Sequence, residues 1–158
     1  MPLVGIDPSI TLTYRDEYQK FISGNLGRVM LLQEWLIDKI PADLSLQSVT
    51  QIPHYLLSHC TEKTMCIASE KLWQTIFAKF GLTLTPLSAG CCGMAGSYGH
   101  ELEHVENSKE LFNMDWKKLL ETHASSILVT GYSCRTQAKR FMKMQLQHPI
   151  QLLANLIK

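Results

Sequence analysis

Short apolar runs alternate with longer amphipathic stretches along the chain, which is the pattern of β-strands followed by helices. The apolar runs predict four strands. These strands lie at Leu3 to Asp7, Gln51 to Ser58, Leu82 to Leu87 and Ser126 to Tyr132. Because strands that alternate with helices pair in parallel, the pattern predicts an α/β fold. We expect an open, mainly parallel sheet of about four strands, flanked by helices.

Apolar residues that recur at helical spacing predict the segments between and after these strands. The predicted helices cover Thr11 to Ile22, Val29 to Ile40, Thr64 to Phe80, about 100–121, a basic stretch opened by Cys134, and Ile150 to Ile157. Gly81 follows the third helix, and glycine is favoured just after a helix C-terminus. Residues 42–50 are polar and predict a connection.

Four of the five cysteines follow a predicted strand and precede a predicted helix. They are Cys60, Cys91, Cys92 and Cys134. The carboxyl ends of parallel strands lie along one edge of a sheet, where open α/β folds bind their ligands. The sequence therefore predicts one four-thiol site at this edge, beside Asp7-Pro8-Ser9. We expect Cys66, in the helix after Cys60, to pack in the core.

The vicinal cysteines lie in a glycine-rich loop, residues 89–99, with the sequence Ala-Gly-Cys-Cys-Gly-Met-Ala-Gly-Ser-Tyr-Gly. Glycine adopts left-handed conformations that turn successive N–H groups inward, and such a nest binds anions. A cluster bound by thiolates is an anion whose sulfurs need such donors. We therefore expect Gly90 and Gly93 to support a cofactor, and Arg135 to add positive charge.

Three chemistries suit these thiols. Four thiolates satisfy tetrahedral zinc and a four-iron cubane cluster equally well. The compact C-x-x-C pairs of zinc ribbons and ferredoxins are absent from the sequence, so spacing leaves both metals open. A reversible disulfide between Cys91 and Cys92 is the third interpretation. It would be strained, because neighbouring Cα atoms are about 3.8 Å apart, whereas bridged cysteines are usually about 4.4–6.8 Å apart.

Two groups of histidines are further candidates. His59 adjoins Cys60 and is a candidate ligand or hydrogen-bond donor. His100 and His104 are spaced i, i+4, as in some zinc pairs, but the glutamates around them favour a solvated helix face. Neither a phosphate-binding loop nor a dinucleotide-binding loop is present in the sequence.

Composition excludes several classes of function. Fifteen basic and fourteen acidic residues give a net charge of +1, which offers no footprint for nucleic acid or an anionic membrane. No apolar run approaches the ~20 residues that span a bilayer. Five cysteines cannot all pair, and the first residues lack a secretory pattern, so we expect a reducing, cytoplasmic compartment. The abrupt opening strand indicates a piece of a longer protein.

The cysteine motifs carry a resemblance to a known family. Ala89 to Gly99, Gly131 to Gln137, and His59-Cys60 resemble the cysteine-rich CCG domain of heterodisulfide reductase B-type subunits. The match is closer to the C-terminal segment of bacterial FAD-linked D-2-hydroxyacid dehydrogenases, of the glycolate, D-lactate and D-2-hydroxyglutarate type. The resemblance covers nearly the whole chain. It implies a single CCG-type domain over residues 1–158, which belongs to a larger multidomain enzyme.

The resemblance implies electron transfer or docking and no complete active site in this chain. It implies an iron–sulfur cluster, of the 4Fe–4S type, or zinc at the four cysteines, and FAD elsewhere in the parent protein. The implied partners are FAD-binding and ferredoxin-like domains and a downstream electron acceptor, through which the protein would lie against the inner membrane.

Three departures from the family pattern concern the ligand set. Ile10 stands where relatives often carry a cysteine, Gln137 stands at the end of the C-x-x-C element, and Thr61 replaces a histidine. The resemblance therefore implies a four-thiolate site instead of a five-cysteine, non-cubane cluster.

Overall fold

The computed structural model describes residues 1–24, 27–41 and 52–157, and they form an α/β fold with parallel sheets flanked by helices. A two-stranded sheet pairs β1 (Leu3–Gly5) with β2 (Val29–Leu31). A three-stranded sheet has the order β4-β3-β5, with β3 at His54–Leu57, β4 at Leu84–Pro86 and β5 at Ile127–Val129. The predicted fold class is confirmed.

Seven α-helices follow the strands in the described part of the chain. They are α1 (Pro8–Leu12), α2 (Leu32–Leu36), α3 (Cys60–Met65), α4 (Ser69–Lys79), α5 (Val105–His123), α6 (Tyr132–Met142) and α7 (Pro149–Leu156). A π-helical turn, Thr13–Glu17, and a 3-10 turn, Tyr18–Lys20, extend α1. Two further 3-10 turns, Tyr98–His100 and Leu102–His104, precede α5.

Several predicted boundaries are wrong. The helical spacing predicts that a helix starts at Val29, but Val29–Leu31 is a fully buried strand that pairs with Leu3–Gly5. Three consecutive apolar residues fit a strand that is covered on both faces, and burial overrides their helical spacing. The single helix predicted over 64–80 is two helices, α3 and α4, with a break at Cys66. The connection predicted at 42–50 lies outside the described residues.

The three-stranded sheet carries a hydrophobic core on each face. Leu56 and Leu128 point into a core formed with Trp73 and Phe77 of α4. Their sequence neighbours point the other way, because successive side chains of a strand alternate between faces. This second core contains residues of α5 and α6 together with two of the cysteines. It comprises Leu57, Cys92, Met94, Phe112, Trp116, Leu120, Ile127, Val129, Cys134 and Ala138. The cysteine loop is therefore anchored in the core.

Candidate metal centre

The four predicted thiols converge at the carboxyl edge of the three-stranded sheet. Cys60 begins α3 after β3, Cys91 and Cys92 lie in the loop after β4, and Cys134 lies in the first turn of α6 after β5. A cavity of about 480 Å³ is lined by Cys60, Cys91 and Cys92. The Cys134 side chain is buried beside Cys92. The structure thus brings together the cysteines that the strand-end rule selected.

The thiols interact with one another through hydrogen bonds. A hydrogen bond to the Cys91 sulfur raises the pKa of Cys60 far above its ordinary value. Hydrogen bonds from Cys60, and then from Cys92, lower the pKa of Cys91. Hydrogen bonding to Cys134, and then to Cys91, raises the pKa of Cys92. These directions agree that Cys91 is the hydrogen-bond acceptor of the group and that Cys60 and Cys92 donate to it.

Backbone N–H groups surround these sulfurs. The Gly93 nitrogen lies 3.4 Å from the Cys91 sulfur, and the Ala95 N–H also lowers the pKa of that thiol. The Met94 N–H acts to lower the pKa of Cys92, and the Thr61 N–H, which is hydrogen-bonded to His59 Nδ1, acts to lower that of Cys60. Left-handed conformations at 93, 95 and 96, with φ of +83°, +43° and +68°, produce this arrangement. Inward-facing N–H groups of this kind were predicted from the glycines, of which 93 and 96 are left-handed, and Ala95 supplies the third left-handed residue.

The two predicted cofactor-binding glycines have different roles. At Gly93 a Cβ atom would lie 2.2 Å from the carbonyl oxygen of Ser108, so only glycine fits. Gly90 anchors the loop to α5. Its nitrogen donates to Asp115 Oδ2 at 2.8 Å, and its oxygen accepts from Trp116 Nε1 at 3.0 Å.

Arg135 forms hydrogen bonds to the C-terminal end of β5. Its Nη1 donates to the carbonyl oxygens of Val129 at 2.7 Å and Thr130 at 2.8 Å. Burial lowers its pKa, although the charge of Asp7 and that of Cys134 act in the opposite direction. The guanidinium adds positive charge near Cys134, but Arg135 does not line the cavity.

His59 has both ring nitrogens engaged. Its Nδ1 accepts from the Thr61 nitrogen at 3.2 Å, which caps α3, and its Nε2 lies 3.3 Å from Ser133 Oγ. Burial lowers the pKa of His59, so the neutral ring is favoured. The side chain lines the cavity and holds Cys60 at the start of the helix.

The other histidines lie apart from the thiols. His104 stacks on Tyr98 and lies 3.5 Å from Glu101 and 3.9 Å from Glu103. Glu101, Glu103 and His104 form a surface cluster in which both glutamates are exposed, in agreement with a solvated face. Cys66 is half-buried instead of lying in the core, with its sulfur 3.4 Å from Glu34 Oε1.

The donor set fits a metal or cluster that binds thiolates. Four thiolates satisfy tetrahedral zinc and a four-iron cluster equally well, so the donor set leaves both open.

The sequence placed Asp7 at this edge of the sheet but did not show what it binds, and it did not show the roles of Ser108 and Gln137. Asp7 accepts from the Tyr132 nitrogen at 2.8 Å and thereby joins the end of β1 to the start of α6. An aspartate before Pro-Ser is a helix N-cap signal, which accounts for its bond to Ile10 N but not for this longer-range one. Ser108 and Gln137 are completely buried behind the cysteine loop. No sequence motif includes Ser108, and the motif that ends at Gln137 marks that residue only as the replacement of a cysteine.

The fold and the four-cysteine edge define a cysteine-rich α/β domain. The chain is 43% identical to D-2-hydroxyglutarate dehydrogenase of Pseudomonas putida over 155 residues, or 97% of its length. It is 40% identical to D-2-hydroxyglutarate dehydrogenase of Escherichia coli over 161 residues, which covers the whole chain. The chain is thus homologous to one segment of the D-2-hydroxyglutarate dehydrogenases, and the resemblance to these dehydrogenases is confirmed. It spans 15–16% of the length of these relatives.

A more distant relative belongs to another dehydrogenase. The chain is 25% identical to a subunit of the anaerobic glycerol-3-phosphate dehydrogenase of Escherichia coli over 163 residues, which covers 98% of the chain and 40% of that protein. All of these relatives are named as dehydrogenases or dehydrogenase subunits, so the chain has homologues in two kinds of oxidoreductase. No family model and no solved structure matches the chain. Within the described ranges, none of the helices is both long enough and apolar enough to cross a membrane.

Proposed function

We propose that this chain is an iron–sulfur electron-transfer domain, in which Cys60, Cys91, Cys92 and Cys134 hold a 4Fe–4S cluster. The observation that carries the proposal is the convergence of four thiols from three strand ends on a nest of backbone N–H groups. Such a cluster, when bound, supplies one-electron transfer at a potential that its surroundings set.

The four proposed ligands differ in their exposure to solvent. Cys92 and Cys134 are 3% and 1% exposed, so they fix the inner side of the site in the core. Cys60 is exposed and Cys91 is half-buried, so the outer side faces the cavity and solvent. Electrons would pass through this outer side, because the distance to a partner is shortest there.

The proposal places this domain, residues 1–158, in an FAD-linked D-2-hydroxyacid oxidoreductase of the cytoplasm. The support is homology to the D-2-hydroxyglutarate dehydrogenases. An FAD-binding domain would deliver electrons, a ferredoxin-like domain would carry them, and a downstream acceptor, at the inner membrane, would receive them. This chain would contribute no residue to hydroxyacid oxidation.

The test is anaerobic reconstitution of the 158-residue chain with iron and sulfide, followed by metal analysis and visible spectroscopy. We expect about four irons per chain and absorption near ~400 nm that bleaches on reduction. Serine at any one of the four proposed ligands should lower the iron content. Cys66→Ser is the matched control and should retain it.

Two results would overturn the proposal. A colourless protein that holds stoichiometric zinc under these conditions would indicate a structural zinc domain used for docking. A metal-free protein in which oxidant removes two hydrogens from Cys91 and Cys92, measured by mass spectrometry, would indicate a thiol–disulfide switch.

A further inference from the structure

In the cysteine loop, the carbonyl oxygen of a peptide unit accepts a hydrogen bond, while the N–H of the same unit points toward a cysteine sulfur. In the unit that joins Cys92 to Gly93, the carbonyl oxygen accepts from Gln137 Nε2 at 3.1 Å. The N–H of the same unit points at the Cys91 sulfur, 3.4 Å away. A trans peptide is planar and directs its C=O and N–H in opposite directions. The bond from Gln137 therefore fixes where the Gly93 N–H points.

The next two units repeat this arrangement. The Gly93 carbonyl accepts from Ser108 Oγ at 2.7 Å, and the Met94 N–H of that unit donates to Cys92. The Met94 carbonyl accepts from the Gly99 nitrogen at 2.8 Å, and the Ala95 N–H donates to Cys91. Three consecutive N–H groups thus face the thiols, because the carbonyl oxygen of each peptide unit is hydrogen-bonded on the opposite side.

Ser108 and Gln137 act as one unit. Both are 0% exposed, and Gln137 Nε2 donates to Ser108 Oγ at 2.7 Å. Because that oxygen accepts from Gln137, its single proton is directed to the Gly93 carbonyl. Ser108 lies on α5 and Gln137 on α6, so the pair joins both helices to the loop.

The two polar atoms of the Gln137 side-chain amide differ in their hydrogen bonding. Its Oε1 is buried without a hydrogen-bond partner in the described part of the chain, whereas its Nε2 has two acceptors. Leaving a buried acceptor unpaired is unfavourable. If the Gln137 amide were rotated by 180°, its Oε1 would face the carbonyl oxygen of Cys92. Repulsion between these two acceptors would cost more free energy than one unpaired acceptor. The observed orientation is therefore the one that serves the loop.

We propose that Ser108 and Gln137 are positioning residues that set the reduction potential of the centre by aiming the Gly93 and Met94 N–H groups at the Cys91 and Cys92 sulfurs. The inference rests on the proposed iron–sulfur function. A reduced cluster carries one more negative charge than an oxidised one, so N–H donors stabilise the reduced form more. Removing the hydrogen bonds to the Cys92 and Gly93 carbonyl oxygens lets the Gly93 and Met94 N–H groups turn away from the sulfurs. The reduction potential of the cluster then falls.

The experiment uses the reconstituted chain and the variants Ser108→Ala, Gln137→Met and the double variant. Midpoint potentials are measured by anaerobic spectroelectrochemistry, and Fe–S stretching frequencies by resonance Raman spectroscopy. At a fixed ambient potential we expect the reduced-to-oxidised ratio to fall about threefold in each single variant and about tenfold in the double variant, which is about 59 mV for one electron. Ser108→Thr, which keeps the hydroxyl, should restore most of the parent potential.

Thr122→Ala is the matched control, because Thr122 lies on the same helix and its hydroxyl donates to the Lys118 carbonyl at 2.8 Å, far from the loop in sequence. An unchanged potential and unchanged Raman bands in variants that retain four irons would overturn the inference and leave the proposed function intact. A parent protein that holds no iron would overturn both. Where Ser108→Ala does not fold, Gln137→Met and its Raman spectrum decide the question.

Discussion

Gly93 and Gly96 offer a paired test of how the cysteine loop is packed. Both have left-handed backbones, with φ of +83° and +68°. They differ in their surroundings. A Cβ atom at 93 would lie 2.2 Å from the carbonyl oxygen of Ser108, whereas a Cβ atom at 96 would meet nothing within 4 Å. Alanine at each position therefore separates backbone strain from steric overlap.

The expected losses in the free energy of unfolding follow from the backbone strain and the steric overlap. A left-handed conformation costs a residue with a Cβ atom about 1–2 kcal/mol, and both variants share this cost. Forcing an extra methyl group into a packed site adds about 1–3 kcal/mol, and this applies only to Gly93→Ala. We therefore expect losses of about 1–2 kcal/mol for Gly96→Ala and about 2–5 kcal/mol for Gly93→Ala. The Ser108 carbonyl belongs to α5 and cannot move alone, which favours the larger values.

The assay is urea unfolding of the reduced, metal-free chain, followed by far-UV circular dichroism. The difference between the two variants is the quantity of interest, because the shared backbone cost cancels. Equal free energies of unfolding for Gly93→Ala and Gly96→Ala would refute the steric argument. After reconstitution, Gly93→Ala should also retain less iron than Gly96→Ala, since overlap at 93 displaces the N–H that faces Cys91.

Three more predictions concern other parts of the site and the core. Gly131→Ala should lower iron content, because its Cβ would lie 2.5 Å from His59 Cδ2 and 3.0 Å from the Cys134 sulfur; an iron content equal to that of the parent would contradict this packing. Burial lowers the pKa of His148 to about 3, so the unfolded chain binds a proton that the folded chain excludes as pH falls. Stability should therefore drop by about 2 kcal/mol between about pH 6.5 and pH 5, and His148→Asn, which keeps an N-cap acceptor, should flatten that slope in urea titrations. Trp116→Phe removes an indole donor to a loop carbonyl 3.0 Å away and should cost about 1 kcal/mol in urea unfolding, with no loss if that bond contributes nothing.

Local pattern was sufficient for part of the fold. Strands at 54–57, 84–86 and 127–129 lie within predicted apolar runs, because a short run bounded by polar residues and glycines has few other stable arrangements. It was insufficient at Val29–Leu31, where three apolar residues are compatible with helix or strand until a partner is present. The division into two sheets has the same origin, since pairing between strands is a non-local choice.

The sequence by itself determined where each of the four thiols stands relative to its own strand and helix. It also determined that glycine would allow left-handed turns at 93 and 96, since only short-range sterics are involved, whereas the left-handed conformation of Ala95 depends on the packing of the loop. The tertiary structure decided which thiols are hydrogen-bonded to one another, that Cys91 accepts hydrogen bonds from its neighbours, and that Cys134 is buried beside Cys92. It alone placed Ser108 and Gln137 behind the loop, 15 and 45 residues from the groups that they hold. Such contacts depend on the packing of α5 and α6, which no local pattern encodes.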